Sequence, residues 1–308
     1  MSADILAQVI VGMMLAATPL LLAATGELVT EKAGVLNLGV EGMMLVGAVA
    51  GFGIALTTGS HALGLLAAVA AGATLALLFA VLTLSLLANQ VATGLALAIL
   101  GTGLSALIGR TLVGQPLPRL PRLDIPGLSD LPVLGPLLFG HDVLIYLSFA
   151  AVVATHWFLA RTRPGLVLRA VGESHDAAHA IGYPVIAIRY AATAFGGAMC
   201  GLAGAFMSMA YTPMWAENMT AGRGWIALAL VVFATWRPLR LLLGAYLFGG
   251  VTIAQLHLQG LGFALPSQFL SMLPYLATIA VLVLISRDAQ RIRLNTPASL
   301  GRMFHPDH

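Results

Sequence analysis

Charge is scarce in this chain. Only 9% of its 308 residues are Asp, Glu, Lys or Arg, against about 25% in soluble domains. Lysine is almost missing, with Lys32 the single example. A phosphate-cradling P-loop needs a lysine followed by Ser or Thr. Lys32 is followed by Ala33, so this chain has no standard P-loop, and ATP hydrolysis of that kind must happen elsewhere. Cysteine is reduced to Cys200, which excludes an intrachain disulfide. There is no HExxH zinc motif, no GxSxG nucleophile elbow and no pair of carboxylates at mid-span, so hydrolase chemistry is not expected. The first residues, MSADILAQVI, put no basic stretch ahead of the apolar run and read as a first membrane helix, not a cleaved signal peptide.

What fills the chain is apolar: 59% of residues are hydrophobic and the mean hydropathy is +0.94. The medium for most of it must be lipid, whose core of about 30 Å takes roughly 20 apolar residues per helix. Within that core the backbone must satisfy its own hydrogen bonds, leaving helices or a closed barrel. The apolar runs are continuous, without dyad alternation. The expected fold is therefore all-α, a polytopic transmembrane helical bundle in one domain, 1–308. About nine spans (eight to ten) are expected, near 5–25, 34–57, 62–87, 91–109, 142–160, 188–210, 224–236, 241–258 and 269–286. Small residues four apart, Gly47 with Gly51 and Gly197 with Gly201, suit close helix approach in lipid.

Orientation follows from the cations. Placing 161–190 inside also puts Lys32, Arg161, Arg163, Arg169, Arg189, Arg237, Arg240, Arg287, Arg291, Arg293 and Arg302 inside. Arg110, Arg119, Arg122 and Arg223 then lie outside, a split that the positive-inside rule favours. The tail 287–308 is cytoplasmic in this arrangement, and 110–141 is an external connector whose six prolines argue against a regular helix. The net charge of +3 is loop charge scattered between apolar runs, and nucleic acid is not an expected partner.

Polar groups inside apolar spans are costly and mark pathways or packed turns. The stretch 26–48, GELVTEKAGVLNLGVEGMMLVGA, sets Glu27, Glu31 and Lys32 before a segment that carries Asn37 and Glu41. Its glycines, Gly34, Gly39 and Gly42, suggest a broken or partly re-entrant element. If it stays helical, Asn37 and Glu41 share one face. Each is a candidate for substrate contact, though a satisfied group in a packed turn is the simpler reading for both, Glu41 by fixing a helix break. Asn89, Gln90 and Thr93 open the fourth span and either line the inner mouth or form a polar helix start. Trp215, Glu217 and Asn218 fall in an outer loop, as receptor contacts or as an interfacial anchor. Gln255, His257 and Gln259 sit at an outer helix end, where interfacial solvation explains them.

The loop 161–190 reads RTRPGLVLRAVGESHDAAHAIGYPVIAIRY. Ser174 is a good N-cap, Asp176 suits the first turn, and Gly182 followed by Pro184 ends a helix. A short helix over 175–181 is expected, with Ala177, Ala178 and Ile181 as an apolar ridge. So short a helix is not stable alone and needs a partner groove or flanking support. Either it couples to a separate ATPase or it rests on the membrane surface. His175 and His179 have metal-capable spacing but no third ligand, so no metal site is expected.

Four blocks in order carry a resemblance. They are EKAGVLNLGVEGMMLVGA (31–48), ANQVATGLALAIL (88–100), the loop RTRPG…LRAVGES..AA..IGYPV, and GRGWIALALVVFATWRP (222–238). Together they resemble the permease subunits of bacterial ATP-binding-cassette importers, in the nucleoside and simple-sugar branch. The implied fold is similar to that of the ribose, branched-chain amino acid and vitamin B12 importer permeases. The departure is Ser174-His175 where that family often has Asn-Pro; the cap survives, but proline at the first helical position is lost.

The resemblance implies a permease that moves nucleosides or related purine compounds by alternating access, with simple sugars as the alternative. Its implied partners are a second homologous permease, a cytoplasmic ATPase that uses the ATP, and an extracytoplasmic substrate-binding lipoprotein. This chain would bind no cofactor of its own and would lie in the bacterial inner membrane among its lipids. The coupling segment becomes Arg169, Gly172, Glu173, Ser174, Asp176, Ala177, Ala178, Ile181 and Gly182. An ion-coupled carrier is a further alternative; it calls for mid-membrane titratable relays, and only Glu41 clearly qualifies.

Overall fold

The computed structural model describes residues 3–123, 134–260 and 295–305, with scattered positions between 269 and 283. It is a helical bundle. In chain order the helices are α1 (Ala3–Lys32), α2 (Val40–Thr58), α3 (His61–Ala80, extended by a π-helical turn Val81–Ser85) and α4 (Gln90–Gly109). Then come α5 (Leu134–Leu138), α6 (Val143–Arg161), α7 (Arg163–Glu173), α8 (His175–Ala180) and α9 (Val185–Ala205, continued by the π-helical Phe206–Tyr211). The last two are α10 (Arg223–Phe233) and α11 (Pro238–Gly260).

Among the described residues seven helices are long and apolar enough to cross a membrane. The expected nine spans are corrected accordingly. The run at 224–236 is α10, whose 11 residues rise only about 16 Å, half the hydrocarbon thickness. The run at 269–286 falls largely outside the described residues. The first span is longer than expected: α1 continues to Lys32 and takes Glu27 and Glu31 into the bundle.

Local sequence explains the helix starts. Side chains of Ser60, Asn89, Asp142, Thr162 and Ser174 each accept from a backbone N–H in the first turn of the helix that follows. Among its described residues the connector departs from expectation in the five-residue α5, which contains Pro136; proline is tolerated in a first turn, and α5 is little more than that. From 110 to 123 the connector is irregular and tied down by isolated bridges, Val113 to Trp215 and Pro116 to Met214.

The helices α1 and α2 run through the middle. α1 packs on α9, α11, α10 and α6, and α2 on α3, α9 and α4. Small residues make this possible. A Cβ on Gly47 would strike the backbone of Gly201, and one on Gly72 the backbone of Gly197 and Gly201. Dispersion between closely packed backbones does in lipid what hydrophobic burial does in water.

The two ends differ in character. At one end the C-terminus of α1, the segment from α7 to the start of α9, and residues 295–304 come together; Lys32, Arg169, Arg189 and Arg302 gather there. At the other, His61 contacts the Pro118 carbonyl, and Leu117 and Leu120 donate to the carbonyls of Pro213 and Met209.

Candidate translocation and coupling site

Between α1 and α2 the chain is not helical over 35–37. Asn37 and Glu41 therefore do not share a helical face: Asn37 lies in the break and Glu41 in the first turn of α2. The break begins at Gly34, whose φ of +85° suits glycine. Leu36 N donates to Gln90 Oε1 (2.8 Å), and Asn37 N donates to Glu27 Oε1 (3.2 Å). The fully buried Asn37 side chain closes a local turn, accepting from Gly39 N at 2.9 Å and donating to Met43 Sδ at 3.4 Å. Gly94 of α4 leaves no room for a side chain against Leu38, so α4 seats directly on the break.

Glu41 has a different task. The chain reaches α10 through left-handed residues at Asn218, Ala221 and Gly222. Thr220 Oγ1 and the Gly222 and Gly224 N–H groups all donate to the Glu41 carboxylate. The two backbone N–H groups are otherwise orphaned donors at a helix start, and the carboxylate also faces the positive end of the α10 dipole. Glu41 thus fixes the N-terminus of a half-length helix from across the bundle.

The other expected pathway residues separate. Gln90 is buried at the break, and among the described residues its Nε2 has no hydrogen-bond partner. Asn89 is exposed and caps α4 through Ala92 N, while Thr93 is half-buried one turn on. Glu27 keeps one carboxylate oxygen without a hydrogen-bond partner among the described residues. Glu31 accepts from the Trp236 indole in the α10–α11 turn, and Lys32 Nζ donates to Asn295 O at 2.7 Å. Each member of the charged cluster ties the end of α1 to a different segment.

The loop contains the expected short helix, α8, with Ser174 capping Ala177 N and Gly182 at φ +93° just beyond the end. The expected ridge splits. Ala178 is buried with Val171, Val185 and Phe304, whereas Ala177 and Ile181 are exposed. Ile181, at 72% exposure, is the most exposed of the large apolar side chains in the loop, ahead of Leu166 and Tyr183. Asp176 and Glu173 are also exposed. Gly172 packs on the Lys32 carbonyl with no room for a Cβ, and half-buried Arg169 has an Nε without a partner among the described residues.

At the opposite end a cavity of about 560 Å³ is lined by Gln8, Arg119, Arg122, His141 and Asp142 among others. Burial raises the carboxyl pKa of Asp142, partly offset by the backbone N–H groups that it caps. Trp215 lies in the loop before α10, as expected, but its side chain is buried against Gly109, while Glu217 and Asn218 are exposed beside it. Gln255, His257 and Gln259 occupy the last turns of α11.

The family described as "branched-chain amino acid transport system / permease component" matches residues 9–282. The chain belongs to this permease family. It is 44% identical to the putative glucose ABC transporter permease protein TsgC13 of Haloferax volcanii, over 94% of this chain and 95% of that protein. It is 32% identical to the guanosine ABC transporter permease protein NupQ of Bacillus subtilis, over 91% of this chain and 92% of that one. It is equally 32% identical to the nucleoside ABC transporter permease protein NupC of Lactococcus lactis, over 90% and 91%. No solved structure matches the chain.

This permease is therefore a multi-pass membrane protein. Sequence reasoning missed three parts of the site: α7, the return of residues 295–304 to the bundle, and the role of Arg189. The signal for α7 was present in Thr162 and Pro164, a capping residue followed by a proline suited to a first turn. Arg189 was visible as a lone cation four residues into an apolar helix.

Proposed function

We propose that this permease is one of two related membrane subunits of an ATP-driven importer whose substrate is a nucleoside or a simple sugar. Its α8 is the element that a cytoplasmic ATPase would engage, and an extracytoplasmic binding protein would deliver substrate to the connector end. ATP would be bound and hydrolysed by the ATPase, and this chain would carry no cofactor. The observation that carries the reading is α8 itself: a capped six-residue helix that turns Ala178 inward and leaves Ala177 and Ile181 outward, at the arginine-rich end. A surface helix with exposed apolar residues and buried support fits a docking knob.

The substrate class rests on the relatives. One is named for glucose and two for guanosine or nucleosides, and both classes share a polyhydroxylated ring. Asn37, Glu41, Asn89, Gln90 and Thr93 are proposed around the pathway, with Gln90 the favoured contact because its amide NH2 is buried beside the break without a partner among the described residues. The two subunits would open the pathway alternately to either side.

The test is uptake of radiolabelled guanosine, adenosine, glucose and ribose into vesicles that contain this chain with its companion subunits. Nucleoside uptake that vanishes when the ATPase is disabled supports the nucleoside branch. Sugar uptake with the same dependence keeps the importer and reassigns its substrate. Uptake indifferent to the ATPase sinks the proposal.

A further inference from the structure

Arg189 enters the bundle one turn into α9 and is 1% exposed. A buried guanidinium is costly unless its donors are used. Here they reach three separate parts of the chain. Nε donates to the Ala33 carbonyl at the end of α1 (3.1 Å), Nη1 to the Arg302 carbonyl (3.3 Å) and Nη2 to His175 Nδ1 (3.2 Å). Arginine can only donate, so His175 Nδ1 accepts and the proton of the neutral ring sits on Nε2, 3.4 Å from Asp176.

The segment at 299–304 fills the same corner. Ser299 N donates to Gly172 O and Ser299 Oγ to Glu173 O, at the last residues of α7. Gly301 N donates to Gly34 O, where the break begins. Phe304 meets the rings of His175 and His179 edge-on at 5.2 and 5.3 Å. One buried side chain therefore joins the helix proposed to meet the ATPase to the residue that ends α1. Two and four residues further on, Val35 donates to the Thr30 carbonyl and Asn37 to Glu27.

We infer that Arg189 is a positioning residue that carries displacement of α8 to the 33–39 break, with 299–304 as the second strap of the same linkage. The inference rests on the reading of α8 as the ATPase-engaging helix. A planar donor fork suits this role, because it fixes three acceptors relative to one another, which a lysine ammonium does not. Spatial continuity alone does not establish coupling, so the decisive quantity is substrate moved per ATP hydrolysed.

The experiment uses the complete transporter in proteoliposomes and measures hydrolysis and uptake in the same preparation. Arg189→Met is expected to hydrolyse ATP while uptake per ATP falls about tenfold, a coupling loss of ordinary size. Arg189→Lys should recover part of the loss. Truncation after Ala298 removes the second strap, including both Ser299 hydrogen bonds, while keeping Asn295 for Lys32, and should also lower the ratio. Deletion of 174–182 is run in parallel. If that deletion lowers the ratio and neither Arg189→Met nor the truncation does, the inference falls and the reading of α8 stands. If the deletion too leaves the ratio unchanged, both fall. Should Arg189→Met fail to reach the membrane, the truncation decides alone, an unchanged ratio overturning the linkage.

Discussion

Glu41 and Glu27 lie on either side of the same break, yet Glu41 receives three hydrogen bonds and Glu27 receives one. Both are buried in a span, where a carboxylate is expensive. Glu41 offsets that cost by supplying the acceptors that the start of α10 lacks. Glu27 leaves an oxygen unpartnered among the described residues and touches the break through a single backbone N–H. The contrast separates a fixed part of the scaffold from a part able to change partners. Of the two, Glu27 is the one whose environment would alter if residues 33–39 shifted.

Substituting Glu41 should give the largest effect. Glu41→Leu leaves Thr220 Oγ1 and the Gly224 N–H buried without an acceptor, at about 1–3 kcal/mol for each group, and also unpairs the part-buried Gly222 N–H. Glu41→Gln is milder but still costly, because its NH2 turns a donor toward donors. Both should lower the yield of folded protein in membranes and the midpoint of thermal unfolding in detergent, Leu more than Gln. Normal yield and midpoint for Glu41→Leu would mean that α10 is held by other contacts.

Glu27→Gln sharpens the same comparison from the other side. The amide keeps an oxygen for Asn37 N and nearly the same shape, so the stability cost should stay within about 1 kcal/mol. Its effect should appear in uptake at saturating substrate, with the unfolding midpoint little changed. A loss of folded protein as large as that of Glu41→Gln would place Glu27 in the scaffold and remove the contrast.

Much of the scaffold was legible because its causes are local. Hydropathy located the long helices, and Asn89 and Ser174 marked where two of the helices start. The break was readable from Gly34 and Gly39 around Asn37. What escaped depends on distant partners. The apolar run at 224–236 resembles a span, and only Glu41, some 180 residues earlier in the chain, reveals that its helix begins inside the bundle. Likewise Trp215 reads as an interfacial anchor until Gly109 is seen to make space for it. Arg189 reads as one more cation on the cytoplasmic side, since nothing nearby in sequence indicates that Ala33 and Arg302 supply its acceptors.

The smallest expected effect concerns the end of the bundle where α8 is anchored. His175 faces Asp176 on its own helix, Arg189 from α9 and Arg302 from the C-terminal segment, with His179 one turn away. Burial and then the neighbouring arginines lower its pKa below the ordinary 6.5, with Asp176 pulling the other way. The sign follows directly. An undocked histidine takes up a proton as pH falls through 6.5, while the docked ring resists it, so acid favours undocking. Protonation also converts Nδ1 from an acceptor into a donor and ends its bond with Arg189. Hydrogen-exchange protection over 174–182 and 299–304, corrected for intrinsic exchange, should therefore fall as pH drops from about 7.5 to about 5.5. His175→Gln can accept from Arg189 without titrating and should flatten the profile. Protection that does not vary with pH in the unaltered protein would show that α8 is held without the neutral ring, leaving Ala178 and Phe304 to anchor it by packing alone.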